Sequence, residues 1–144
     1  MEGIMRKGML GAAAAMATLI GCSTVPVTEG AARPVPPDRI YKAARLAPSP
    51  DRSAQIYIMR DKGFHGSACT HAISLNNEKV MDIRQSEAAT LYVSPGSYFV
   101  KLDTGGGACP NISTSQNLTI NAGERQVYRI LLPSDGSLRL SREQ

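Results

Sequence analysis

The chain has 144 residues, 42% of them hydrophobic, with no Trp, five Tyr and two Phe; that length holds one domain with tails, and its core has to be built from Ile, Leu, Val and Met. Sixteen Lys and Arg against twelve Asp and Glu give a formal net charge of +4. Beyond Arg6-Lys7 and the series Arg39, Lys42, Arg45 the basic residues are scattered, so the clustered stripe of a nucleic-acid binder is missing and no nucleic-acid partner is expected.

The first element is residues 1–21. Arg6 and Lys7 precede an uncharged run, Gly8 to Ile20, rich in Ala, Met and Leu, which is the layout of a secretory signal peptide. The run is shorter than the ~20 apolar residues that a mature membrane helix needs.

Its end, Leu19-Ile20-Gly21-Cys22, resembles the lipobox of bacterial lipoproteins. The resemblance implies that the Cys22 thiol carries diacylglycerol, that cleavage falls just before it, and that the new amino group is acylated, for example by palmitate. Two or three acyl chains hold a protein stably where one is marginal. A plain secretory signal or an uncleaved helix, with Cys22 incidental, is the competing reading. Ser23 follows the cysteine in place of the Asp that retains such proteins at the inner membrane, so the resemblance implies a lipid-anchored protein of the outer membrane, expected on its periplasmic face rather than the cell surface, a choice the residues themselves leave open.

Residues 22–52 hold six of the nine prolines, Pro26, Pro34, Pro36, Pro37, Pro48 and Pro50. Proline removes backbone donors and favours extended chain, so this stretch reads as a semi-flexible linker, up to roughly 90 Å long if fully extended. Within it, Arg39 to Ala47 has the spacing of a two-turn helix with Ile40, Ala43, Ala44 and Ala47 on one face.

From residue 53 to 144 short β-forming runs are separated by Gly, Pro, Asn and Asp. Ala54 to Arg60 reads as a first strand, Thr70 to Leu75 and Lys79 to Ile83 as a hairpin around Asn76-Asn77-Glu78, and Ala89 to Val93 with Ser97 to Leu102 as a second hairpin around Pro95-Gly96. At Pro95-Gly96 a type II turn is expected. Leu91 and Val93 alternate with Thr90 and Tyr92, as Val100 and Leu102 do with Phe99 and Lys101, the period of a half-buried sheet. Ser113 to Ile120, Gln126 to Leu132 and Leu138 to Ser141 continue as a meander. The expected fold is all-β, a small antiparallel sandwich of seven to eight strands.

The order "IYIMR", "ISLNNEKVMDI", "ATLYVSPGSYFVKL", "LTINAGERQVYRILL" resembles a family of small bacterial lipoprotein domains of unknown function, the DUF2846-like group, and more loosely PEGA-type sandwiches. The likeness covers Ala54 to about Leu132 and rests on turn signals, which implies a fold and no chemistry. Asn76-Asn77 stands where the relatives often carry Asp-Gly.

With Cys22 assigned to lipid, Cys69 and Cys109 remain as a pair in an oxidising compartment, and a disulfide between them is expected. The alternative is a metal site from His65, Cys69, His71 and Cys109, whose soft ligands suit Zn or Cu, although the His65 to His71 spacing lacks the tight loop of structural zinc sites.

No G-x-S-x-G elbow occurs. Glu78, Asp82 and Glu87 read as solvated surface, and Thr104 to Ala108 is Gly-rich without a following helix, unlike a phosphate cradle. The reading is therefore a protein that is not an enzyme, with no cofactor, no metal and no small-molecule substrate. It is expected to bind or scaffold an envelope protein or cell-wall partner, through a contact loop set of Phe64, His65, Gly105, Gly106 and Gly107. The alternatives are an inhibitor of lysozyme or another hydrolase, and an accessory lipoprotein of a secretion or pilus assembly.

Overall fold

The computed structural model describes residues 24–63, 66–105, 109–132 and 137–144. Among these, nine strands run in chain order: β1 (Arg33–Pro34), β2 (Ala54–Arg60), β3 (His71–Leu75), β4 (Glu78–Ile83), β5 (Glu87–Val93), β6 (Gly96–Thr104), β7 (Ser113–Ile120), β8 (Arg125–Leu131) and β9 (Arg139–Arg142). They form a five-stranded sheet in the order β1-β5-β2-β8-β9 and a four-stranded sheet in the order β4-β3-β6-β7. The all-β sandwich expected from the alternation is the observed fold.

Period-two patterning builds the core directly. Ile56 and Ile58 of β2, Leu91 and Val93 of β5 and Tyr128 and Ile130 of β8 point from one sheet; Ile73, Met81, Ile83, Leu102 and Ile120 meet them from the other. All are essentially inaccessible to solvent. The one polar tip in this cluster is satisfied: Tyr128 Oη donates to Gln126 Oε1 at 2.9 Å.

The β3–β4 hairpin forms as expected. Asn76 and Asn77 take φ of 50° and 65°, the two left-handed angles of a type I′ turn, whose twist matches that of the flanking strands. Asn76 also ties the turn to β6, donating its N–H to Phe99 O and accepting the Phe99 N–H on Oδ1, both at 2.8 Å.

The second expected hairpin does not form. β5 belongs to the five-stranded sheet and β6 to the four-stranded one, so Pro95-Gly96 carries the chain across the core. Gly96 has φ +151°, away from the ~+80° of a type II turn. Alternation shows that each strand is half-buried and does not say against which neighbour, which is why the spacing suggested a pair. The simple meander fails for the same reason: β2 pairs β5 antiparallel but β8 parallel.

Residues 24–52, expected as a tether, are a strap packed along the sandwich. Val27 and Val35 are buried, and Ile40 and Leu46 pack on the core. β1 pairs β5 in parallel; farther on, the Tyr41 and Lys42 N–H groups both donate to Val80 O of β4. The strap thus covers one edge of each sheet, edges that would otherwise offer unpaired backbone groups. Its prolines fit because edge positions and turns require no donor. Arg39 to Ala47 is not a two-turn helix: Pro37–Arg39 and Ala43–Leu46 are separate short 3-10 turns.

Candidate functional site

The loops after β2, β4, β6 and β8 gather at one end of the sandwich, and the disulfide expected there is present. Cys69 and Cys109 are bonded with Cα atoms 5.7 Å apart, joining the loop after β2 to the loop after β6. Arg60, the last residue of β2, organises the same end. Its buried guanidinium donates to Cys69 O at 2.5 Å, Gly66 O at 2.7 Å and Ile83 O at 3.3 Å. Burial brings its pKa down to about 10, so it is still a cation at neutral pH. Gly66 takes φ +64°, and a Cβ there would stand 2.0 Å from Leu132 Cδ2, so a side chain at this position would be strained and would have to displace Leu132.

His71 opens β3 beneath these loops. It is fully buried, and neither ring nitrogen has a hydrogen-bond partner. Desolvation first, and the Arg60 charge second, push its pKa down to about 3, which keeps the imidazole neutral. The metal alternative does not hold for the residues described: both sulfurs are consumed by the disulfide. No group of three His, Cys, Asp or Glu able to hold an ion occurs among the described residues.

Of the expected contact set, Gly105 is described; it is exposed, with Asn111 Oδ1 3.2 Å from where its Cβ would be. Phe64, His65, Gly106 and Gly107 lie outside the described residues, as does Cys22 with the signal segment.

Ion pairs fasten the strap, two of them buried; Glu87, expected as solvated surface, is buried because Arg39 neutralises its carboxylate. Asp61, directly after β2, accepts the Val27 N–H at 2.9 Å and pairs with Arg129, which also donates to Val27 O at 3.0 Å. Glu87 at the start of β5 takes both Arg39 nitrogens, at 2.8 and 2.5 Å, together with the Arg84 N–H at 2.8 Å. At the surface, Glu29 binds Arg125 at 2.7 Å, and Arg125 stacks over Tyr57 at 4.6 Å. A strand ending in charge, as "IMRDKG" does, is a signal for such a pair, but nothing in it names the partner.

Between the strap and β9, on the outer face of the five-stranded sheet, lies an open cleft of about 730 Å³. Met59 and Val127 line it together with Arg125, Arg129 and Arg142, and Glu29 and Glu143 line it paired to Arg125 and Arg129. Asp82 and Asp103 sit on the outer face of the other sheet, both in register with Ala72. Each is already paired, Asp82 with Lys79 at 2.9 Å and Asp103 with Lys101 at 3.0 Å. They are spaced by a whole strand, so no shared-proton pair forms.

No family model, curated protein or solved structure matches the chain. Among the described residues no helix is long and apolar enough to cross a membrane.

Proposed function

We propose that this protein is a lipid-anchored component of a bacterial outer membrane whose β-sandwich acts without catalysis, as a binding or scaffolding module for another envelope component. The observation that carries the reading is the junction of Leu19-Ile20-Gly21-Cys22 with a strap that docks onto the sandwich from Thr24 onward. A lipidated cysteine followed by a fastened strap makes a rigid, membrane-held body. The likeness to small lipoprotein domains supports it at the Asn76-Asn77 turn, though not at Pro95-Gly96, where no hairpin forms.

The arginine-rich cleft supplies the kind of surface such a module uses. It combines Met59 and Val127 with a charged rim, and arginine is favoured at protein interfaces. Each of its arginines is already paired with a carboxylate, Arg125 with Glu29, Arg129 with Asp61 and Glu143 and Arg142 with Glu124, so the rim is charge-balanced and fits a partner of mixed polar and apolar character.

Two measurements test the reading. A Cys22→Ala variant expressed in a bacterial host is expected to lose lipid labelling and detergent partitioning; retained membrane association overturns the anchor. Crosslinking in intact cells is expected to capture an envelope protein with the wild type and to lose it with Arg142→Glu, and equal capture by both variants removes the cleft from the proposal.

A further inference from the structure

The strap turns the position of Cys22 into an orientation. Thr24, two residues beyond Cys22 in the chain, donates its hydroxyl to Leu132 O at 3.2 Å, and Val25 exchanges backbone hydrogen bonds with Lys62 at 2.7 and 3.3 Å. Two residues span at most ~7 Å. A lipid on Cys22 therefore cannot be held far from Lys62 and Leu132, and the thirty-residue reach expected of a free tether is gone.

We infer that the sandwich sits end-on against the lipid headgroups, with the end that carries Lys62, Arg84 and Arg33 facing the membrane; this rests on the lipid attachment proposed above. Lys62 and Arg84 are exposed beside the loops after β2 and β4, and Arg33 is exposed and reaches Gln85 O at 3.5 Å. None of the three pairs with a carboxylate among the described residues. The carboxylates toward this end are already paired, Asp61 with Arg129, Glu87 with Arg39, Asp82 with Lys79 and Asp103 with Lys101. The rim is thus cationic, which suits anionic headgroups. Val25, 46% exposed and next to the anchor, adds an apolar contact at the level of the headgroup boundary. The opposite end, with the Asn76-Asn77 turn and the Lys42–Glu78 pair, points away from the lipid.

The test uses the full chain, purified with its lipid and reconstituted in vesicles of phosphatidylethanolamine and phosphatidylglycerol. Intact mass first reports whether Cys22 carries lipid. Lysine acetylation is then followed residue by residue, in vesicles and in detergent. Lys62 is expected to react roughly fivefold more slowly in vesicles, the factor that corresponds to ~1 kcal/mol of attraction for a lysine at an anionic surface, while Lys42 is unchanged. Lipid present with Lys62 as reactive as in detergent overturns the seating and leaves the anchor standing. Absence of lipid overturns both.

Discussion

Arg39 and Glu87 meet through two parallel hydrogen bonds, with side chains only 11% and 6% exposed. The pair joins the strap to the start of β5 in the five-stranded sheet, and the geometry is the bidentate one that favours arginine over lysine. Removing one partner leaves the other charge buried, which costs about 3 kcal/mol or more. Glu87→Gln is expected to lower the urea midpoint accordingly, and Arg39→Lys to lose part of the same amount. Burial raises the Glu87 pKa, but the Arg39 and Arg84 hydrogen bonds outweigh it, and the net value falls below the ordinary 4.5. A lowered carboxylate pKa means that this stabilisation is complete above about pH 4.5 and declines as the pH drops further.

His71 governs a different window. In the unfolded chain it titrates near ~6.5, whereas in the fold it stays neutral down to about 3. Below pH 6.5 the unfolded state therefore binds a proton that the folded state refuses, and stability falls as the pH falls. For one proton the slope approaches ~1.4 kcal/mol per pH unit. The wild type is expected to lose stability between pH 6 and 4.5, before Glu87 begins to titrate. His71→Leu, which breaks no hydrogen bond, is expected to match or exceed the wild type at pH 7 and to flatten that slope. Parallel slopes in chemical denaturation at stepped pH contradict the assignment.

The disulfide closes a segment of 40 residues, and chain-entropy arithmetic gives it about 4 kcal/mol. Reduction, or the paired change Cys69→Ala with Cys109→Ala, is expected to lower the melting temperature by roughly 15 °C or more, on the ~4–8 °C per kcal/mol of a domain this small. Because Arg60 also grips the Cys69 and Gly66 carbonyls, the loop after β2 keeps its place in the reduced protein. Arg60→Met in the reduced background is expected to release it, seen as faster amide exchange at Gly66 and Cys69.

Where the chain was legible, local chemistry decided the structure. Asn76-Asn77 could be assigned a tight turn because few other residues accept two left-handed angles, and the inward faces of β5 and β6 were written in their alternation. Cys69 and Cys109 could be paired once Cys22 was set aside. Pro95-Gly96 misled because the same alternation serves a hairpin and a crossing between sheets. The strap misled more deeply. Proline content reports that a segment cannot donate a hydrogen-bond ladder; it does not report that Val27 and Val35 are waiting to be buried, or that Asp61 and Glu87, far along the chain, are waiting for Arg129 and Arg39. Those pairings exist only in three dimensions, and with them the strap's route along the sheets.

Limited proteolysis separates a strap from a tether most directly. A free linker would be cut by trypsin after Arg39, Lys42 and Arg45 at the rate of an unfolded peptide. In the fold the Arg39 side chain is locked to Glu87, Ile40 bridges Met81, and Tyr41 and Lys42 hydrogen-bond to Val80, so cleavage after Arg39 requires the segment to lift off. Lifting exposes Val35 and Ile40 and breaks the buried pair, an opening of a few kcal/mol that slows the cut by roughly 100-fold. The Arg39–Ile40 bond is therefore expected to survive while exposed sites elsewhere are lost. Glu87→Gln and Val35→Asp are each expected to restore fast cleavage there, without accelerating cuts in β6 or β7, and prompt cleavage of the wild type at Arg39 refutes the docked strap.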